Sequence, residues 1–376
     1  RPTTIGTSSK IWWRCSFSMN TSTEEKMDPK KYRVLGRIGE GTFGQVLKAK
    51  DKTTGKIVAL KKIRIPNIEQ GLPLSVIREL KALEQLDNPH IVPLHEYFAQ
   101  GTSVVLVLEC MHVDLRQIIT RLSDQGRKFS EAQIKCLMIM ILKGVHAVHS
   151  CKLMHRDLKP ANLLLTKSGV LKVGDFGLTR VDDKKRPYTH EVATRWYRSP
   201  ELLYGAREYG PGVDMWAVGC IFGELMNQNP LLPGQNDIDQ LSLIFTSFGT
   251  PNIDQWPSLK DLPDYRKICF PEMKKTPLPD LLPSASLSAL RLIERLLVYN
   301  PKKRVRAEAA LLDAYFVSVP RAVHYSKLKG MIEQTTHTSK QIGRRNNEKV
   351  VVDGLKIDGP LSVIEQGLLK SMMLGD

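Results

Sequence analysis

Near the middle of the chain runs His155-Arg156-Asp157-Leu158-Lys159-Pro160-Ala161-Asn162, and Asp175-Phe176-Gly177 follows, with Asp175 placed 18 residues after Asp157. This segment constrains the fold more than any other. One loop must present a carboxylate, an ammonium and an amide together, and the chain must return a second carboxylate to them a short distance on. Such groups suit a site where divalent ions bridge phosphates while one acid receives a hydroxyl proton. In that reading Asp157 orients an acceptor hydroxyl and takes its proton, and Lys159 neutralises charge on the phosphoryl group in transfer. Asn162 and Asp175 hold Mg²⁺. The bland alternative is a chance loop, which the order and spacing of the set disfavour.

Two upstream features fit the same chemistry. Gly39-Glu40-Gly41-Thr42-Phe43-Gly44-Gln45-Val46 is a G-x-G-x-x-G run, a weak signal alone, since ordinary turn glycines give the same pattern. It lies between two β-prone runs, whereas a dinucleotide fingerprint opens a helix, and no Gly-Lys-Ser/Thr of a P-loop accompanies it. A glycine-rich hairpin lets backbone N–H groups approach phosphate oxygens, and Val46 can pack on a base. Val58-Ala59-Leu60-Lys61 ends an apolar run in an ammonium, either solvated at a strand edge or a phosphate-binding cation. Glu79, in Pro73-Leu74-Ser75-Val76-Ile77-Arg78-Glu79, can supply the carboxylate that holds it.

The rest of the chain organises around these motifs. Val34–Ile38, Gln45–Ala49 and Ile57–Ile63 read as strands of an antiparallel meander, broken at Gly39–Gly44 and Asp51–Gly55. Leu74–Leu86 reads as a helix, and Ile91–Phe98 and Val104–Leu108 add two strands. That makes a small lobe of five strands and one helix. Glu131–Ser150 carries a wide apolar stripe suited to a buried helix. Further helical patterns lie near 214–227, 237–248, 286–298 and 307–315, separated by proline and glycine punctuation. His146 and His149 on the long helix read as core or surface histidines, and Met138, Met140 and Met154 as core filler.

Composition bounds the class. The chain has 376 residues, 42% hydrophobic and 25% charged, which excludes wholesale disorder and fibrous classes. The longest apolar run is Cys136–Leu142, far short of the roughly 20 residues of a spanning helix, so no membrane segment is expected. Six cysteines contain no Cys-x-x-Cys pair and read as free or buried thiols rather than a disulfide framework or zinc site. With 55 Lys+Arg against 39 Asp+Glu the net charge is +16, which favours anionic partners in general. No zinc-finger spacing or long basic block concentrates it, so no specific nucleic acid is expected. Within a leader bounded at 1–31, residues 1–26 are rich in Ser and Thr and lack an acid before Glu24. They weakly resemble a transit peptide. With Met19 and Met27 as plausible starts, they are expected to be a disordered or non-native leader.

Taken together, the motifs resemble the eukaryotic protein kinases from about Tyr32 to Phe316, roughly three quarters of the chain. The resemblance implies an α+β bilobal kinase fold at 32–316, with a β-rich N-lobe (32–110), a mainly helical C-lobe (111–316) and a partly disordered tail (317–376). It implies Ser/Thr phosphorylation with ATP and Mg²⁺, and Lys61 and Glu79 acting beside Asp157 and Lys159. The nucleotide face it implies comprises Ile38 and Gly39 to Val46, then Ala59, Lys61, Leu108, Glu109, Met111, Asp114 and Leu164. Leu108 stands where the group often has Phe, which leaves more room behind the adenine. Ser199-Pro200-Glu201 has Ser for the usual Ala, which should leave Glu201 free to pair with Arg304, and Asp214 matches the aspartate that supports the catalytic loop.

Pro73–Glu79 is similar to the cyclin-contacting helix of the cyclin-dependent kinases, and Tyr188-Thr189-His190-Glu191-Val192 begins a similar activation loop. A mitogen-activated kinase would carry Tyr at Glu191; that enzyme and a pseudokinase scaffold are the rival readings. Ala161, Tyr204-Gly205-Ala206-Arg207 and Leu262-Pro263-Asp264-Tyr265 are most similar to the cell-cycle-related kinase branch, associated with cell-cycle and cilium-linked signalling; Ile357–Leu361 in the tail resembles it faintly. The resemblance implies Ser/Thr-Pro protein substrates, a cyclin-like activator that swings Glu79 toward Lys61, and an upstream kinase acting on Thr189. Arg78, Arg156 and Arg180 would bind that phosphate. Nucleus and cytoplasm, with the cilium, are the expected locations. Phe43 replaces the tyrosine many relatives carry, so inhibitory phosphorylation is impossible there.

Overall fold

The computed structural model describes residues 31–41, 44–65, 71–183, 188–189 and 192–333. The leader through residue 30, Thr42 and Phe43, Lys184-Lys185-Arg186, His190, Glu191 and everything from 334 onward lie outside the described residues.

Five strands, β1 (Tyr32–Gly41), β2 (Gly44–Asp51), β3 (Ile57–Arg64), β4 (Leu94–Gln100) and β5 (Ser103–Glu109), form one antiparallel sheet in the order β1-β2-β3-β5-β4. The first three make the expected meander. β5 then takes the inner place because Val104, Val105, Leu106 and Val107 are buried on both faces, whereas β4, more polar and half-exposed, suits an edge. β4 begins at Leu94 rather than at Ile91 as the sequence pattern suggests, because Pro93 interrupts the ladder; Ile91 bridges Val173 instead. The glycine break is mostly strand: Gly39 pairs with Val46, Glu40 with Gln45 and Gly41 with Gly44. Gly44 has φ +152°, and a Cβ there would lie 1.9 Å from the Lys62 carbonyl oxygen, so only glycine fits. Helix α1 (Leu74–Gln85) buries Val76, Leu80, Ala82 and Leu83 in a cluster with Ile63, Ile65, Val104 and Leu106 of the sheet.

The larger part is helical: α2 (Leu115–Asp124), α3 (Glu131–Ser150), α4 (Pro200–Leu203), α5 (Gly212–Asn227), α6 (Asp237–Phe248), α7 (Leu278–Leu281), α8 (Leu287–Leu296), α9 (Ala307–Leu311) and α10 (Ala314–Val317). α3 starts where the sequence places it because Ser130 and Gln133 close a capping box. α5 is apolar nearly all round and buried, so it serves as the central post. The pattern near 307–315 is two helices, not one, because the Asp313 carboxylate accepts the Tyr315 N–H at 2.9 Å and starts α10 afresh.

Short strands β6 (Val113–Asp114), β8 (Leu163–Leu165) and β9 (Leu171–Val173) form one small sheet, and β7 (Leu153–Met154) pairs with β10 (Arg180–Val181). Ladders of two or three residues carry no readable period, which is why the sequence pattern misses them. They set the loops that hold the charged motifs. Among the described residues no helix is long and apolar enough to cross a membrane.

Candidate active site

The charged residues converge where the sheet meets the helical part. β3 delivers Lys61 and α1 delivers the buried Glu79, and the Lys61 ammonium lies 2.6 and 2.8 Å from the two Glu79 oxygens. It also donates to Asp175 at 2.9 Å. Burial pulls the Lys61 pKa down, but Glu79 and Asp175 more than offset it, so the ammonium stays charged. Burial likewise works to raise the Asp175 pKa, yet Lys61, with His155 and Lys159 behind it, holds that carboxyl below its ordinary range.

In the structure the Lys61–Glu79 pair is closed, with Glu79 already turned inward. Packing of α1 on the sheet already places it, and a buried carboxylate must find a cation. Val76, expected on the docking surface, is also core, 1% exposed. Leu74 remains exposed and Ile77 is half-buried.

Asp157 is held from four directions. One oxygen accepts from the Thr194 N–H (3.1 Å) and hydroxyl (3.2 Å); the other accepts from Lys159 (2.8 Å) and the Asn162 amide (3.0 Å). Lys159 also donates to the Thr194 hydroxyl at 2.9 Å. The loop behind is fixed by Asp214 on α5, which accepts from the backbone N–H of His155 (2.9 Å) and Arg156 (2.8 Å) and contacts His149 Nε2 at 2.9 Å. Burial opposes the Asp214 charge, but the His149 contact and nearby cationic groups outweigh it, and its pKa is lowered. This anchorage sustains left-handed backbone at Arg156 (φ +67°), and Asp175 adopts the same conformation (φ +60°). His149 is therefore a support of the catalytic loop. Sequence reading missed that, and missed Thr194, because nothing local marks a residue whose partner is 65 or 37 positions away.

The oxygen donors suit Mg²⁺. The Asn162 amide nitrogen is spent on Asp157, at 2.7 Å to its carbonyl and 3.0 Å to its carboxylate, which leaves Asn162 Oδ1 as a donor atom. Asp175 follows Gly174, whose N–H donates to the Asn162 carbonyl at 2.9 Å, so the two candidates are adjacent. Among the described residues no cluster of three or more His, Cys, Asp or Glu could hold a metal. Mg²⁺ characteristically takes one or two protein oxygens and leaves the rest to phosphate and water.

The expected nucleotide face lines one side of the sheet. Register sets Val46 opposite Lys61 and Ala59 opposite Leu108, so these four side chains share a face. Gly39 pairs with Val46 at its outer end, and Ile38 is half-exposed. Glu109 ends β5, Met111 lies in the following segment, and Asp114 caps α2 through the Gln117 N–H at 2.8 Å. Leu164 pairs with Asp114 across β6 and β8, below the sheet. Gln45, Glu40, Gly41 and Gly44 occupy the hairpin; Thr42 and Phe43 lie outside the described residues.

Thr189 is exposed, and its carbonyl accepts from the Tyr209 hydroxyl at 2.7 Å; Arg156 donates to that hydroxyl at 2.7 Å. Burial, then the like charges of Arg180 and Arg156, lower the Arg78 pKa, so the three arginines form one positively charged cluster beside Thr189. Tyr188 is buried, packs against Tyr209 with the two rings tilted, and lies under Arg180.

Below the site, Arg304 forms a buried two-pronged pair with Glu201 at 2.5 and 2.6 Å. Ser199, two residues before Glu201, is fully buried, and its hydroxyl has no partner among the described residues. Restoring alanine removes that desolvated group, so Ser199→Ala is expected to stabilise the protein by about 1 kcal/mol, raising Tm by roughly 2–4 °C. Calorimetry that shows a lower Tm would refute this.

The protein kinase domain family matches residues 32–316. The chain is 50% identical over 301 residues to cyclin-dependent kinase 20 of Danio rerio, covering 79% of this chain and 87% of that protein. It is 45% identical over 295 residues to cyclin-dependent kinase 7 of Xenopus laevis, covering 77% and 82%. Among solved structures it resembles a chain of the CAK complex of Chaetomium thermophilum bound to ATP-gamma-S. The TM-score is 0.73 and identity 34%, over 79% of this chain and 94% of that one.

Proposed function

This chain belongs to the protein kinase family, as a cyclin-dependent-kinase-like Ser/Thr kinase that uses ATP, and from that premise we propose how it works and on what. The carrying observation is the position of Asp157 between Lys159 and Thr194, beside the Lys61–Glu79–Asp175 set. The substrate hydroxyl donates to Asp157, which receives its proton during transfer. The Thr194 hydroxyl donates to Asp157 as a substrate hydroxyl would, so the incoming hydroxyl takes its place. Lys159 then faces the transferred phosphoryl group, and Lys61 the remaining phosphates. Mg²⁺ bound at Asn162 and Asp175 would neutralise phosphate charge. Lys61, Glu79, Asp157, Asn162 and Asp175 are all in place, which argues against a pseudokinase scaffold.

The substrate is Ser/Thr followed by Pro. Ala193 sits in left-handed backbone (φ +67°), and Arg198 takes both neighbouring carbonyls, Val192 at 3.0 Å and Ala193 at 3.1 Å. Asp237 on α6 fixes Arg198 in turn at 3.1 and 3.2 Å. A residue following the acceptor finds those two carbonyls occupied, and proline loses nothing because it has no N–H to satisfy. An unpaired N–H costs about 1–3 kcal/mol, so kcat/KM for a Ser-Pro peptide should exceed that for its Ser-Ala counterpart by about tenfold or more. Equal values would reject proline direction; no transfer from ATP to either peptide would reject the enzyme reading.

Thr189 is the activating phosphosite, supported by its exposure beside Arg78, Arg156 and Arg180. A phosphate there would add about −1.5 to −2 charge and relieve the mutual repulsion of the guanidinium groups. After treatment with an activating kinase, Thr189→Ala should stay about tenfold or more below wild type in kcat/KM, the worth of one strong charge-assisted contact. Equal activity, with phosphate confirmed on wild-type Thr189, would reject the assignment. A cyclin-like activator would dock on exposed Leu74 and half-buried Ile77 of α1. The relatives' names support a cell-cycle role, and the sequence resemblance to the cell-cycle-related branch is what suggests cilium-linked signalling in nucleus, cytoplasm and cilium.

A further inference from the structure

Among the described residues a second ion pair, besides Lys61–Asp175, joins the small sheet to the helical part at the Glu109 end of the expected nucleotide face, and neither of its side chains takes a step in the chemistry above. Lys172 donates to the Glu109 carboxylate at 2.6 Å. Glu109 is the last residue of β5, in the small sheet, and Lys172 is the middle residue of β9, three positions before Asp175. Backbone contacts fix both ends. Glu109 is in register with Val58, and its N–H donates to the Pro93 carbonyl at 3.3 Å. Beside Lys172, Val173 donates to the His90 carbonyl at 2.8 Å and accepts from the Val92 N–H at 2.9 Å. Lys172 is also in register with Leu164, so the two side chains share a sheet face. The two side chains are only 15% and 31% exposed, so water screens this pair less than a surface pair.

We propose that Glu109–Lys172 is a latch between the lobes that positions the nucleotide. It ties the Glu109 end of β5, where the adenine is expected, to the strand that delivers Asp175 toward the phosphates. The two ends of one bound nucleotide are thereby set by a single braced piece rather than by two lobes free to shift. Both side chains act as positioning residues and touch no reacting atom. The inference rests on the kinase reading above.

The test uses the full chain with Lys172→Met, Glu109→Gln and the exchanged pair Glu109→Lys/Lys172→Glu. The readouts are KM for ATP, KM for peptide, kcat, Tm and the Kd for ADP by calorimetry. Losing one partly shielded charge-assisted contact should raise KM for ATP and Kd for ADP about five- to tenfold in each single variant. KM for peptide should stay unchanged, and the exchanged pair should return nucleotide affinity to within about twofold of wild type. Unchanged affinities in the single variants would overturn the proposal. So would a fall in Tm and kcat at constant nucleotide affinity, which marks a merely structural pair, or an exchanged pair as weak as the singles. Should a single variant not fold, the exchanged pair decides alone: near-wild-type ADP affinity supports the latch and lost affinity overturns it. Wild-type protein that binds ADP but phosphorylates no peptide would sink the enzyme reading, while the ADP affinities still judge the latch.

Discussion

Asp157→Asn is expected to lower kcat by about 10²–10⁴-fold, the usual contribution of a positioned general base. The substitution is nearly isosteric, but the site is not neutral toward it. Each Asp157 oxygen already accepts two hydrogen bonds, from Thr194 on one side and from Lys159 and Asn162 on the other. An amide can keep only one side as acceptor, so its NH₂ must face an obligate donor whichever way it turns, the Thr194 N–H on one side or the Lys159 ammonium and the Asn162 amide on the other. The loop should therefore lose stability as well, by about 1–3 kcal/mol for the groups left unpaired. KM for ATP should stay near wild type, because the sheet, Lys61 and the Glu109–Met111 segment are untouched. Steady-state kinetics on the purified variant checks this, with circular dichroism to confirm its fold. A folded Asp157→Asn protein with wild-type kcat would remove Asp157 from the role of base.

How far the sequence discloses this site depends on the range of each interaction. Asp157, Lys159, Asn162 and Asp175 fall within two short motifs, so their grouping follows from order and spacing alone. The five strands and α1 are legible from runs of four to eight β-prone or periodic residues, and α3 from its stripe and the Ser130 cap. The order in the sheet is not: it turns on β5 being apolar on both faces, which one strand's composition suggests only once its neighbours are known. The state of Glu79 is hidden for a related reason. Whether α1 is swung in or out depends on how Val76, Leu80 and Leu83 pack against Ile63 and Leu106, a question of shape that a one-dimensional pattern does not carry. His149, Thr194, Tyr209 and Lys172 are ordinary polar residues in sequence, and only the folded chain gives them partners.

Arg304→Met is expected to destabilise the protein by about 3–5 kcal/mol, the cost of leaving a buried charge without its partner. The Arg304 guanidinium has five N–H donors, and five acceptors surround it. They are the two Glu201 oxygens at 2.5 and 2.6 Å, and the carbonyls of Val298 at 2.6 Å, Gly212 at 2.9 Å and Tyr299 at 3.0 Å. Its charged end also lies 5.1 Å from the Trp216 ring. The side chain thus joins the segment after Ser199, the start of α5 and the loop after α8, all three buried at the joint. Methionine fills much of the volume but strands the Glu201 carboxylate, whose side chain is 3% exposed, together with three carbonyls. At roughly 2–4 °C per kcal/mol for a domain of this size, Tm should fall by about 10 °C. Because Pro200 and Glu201 adjoin the Val192–Arg198 segment proposed to receive the peptide, KM for peptide should rise while Kd for ADP holds. The double variant Arg304→Met/Glu201→Leu removes the stranded carboxylate and should recover a large part of the loss, since a buried pair often contributes little beyond what packed apolar groups supply. Differential scanning calorimetry on the wild type, both single variants and the double variant closes the cycle. If the double variant is as unstable as the sum of the singles, the two side chains do not act as a pair, and the stability of this joint lies in the carbonyl contacts instead.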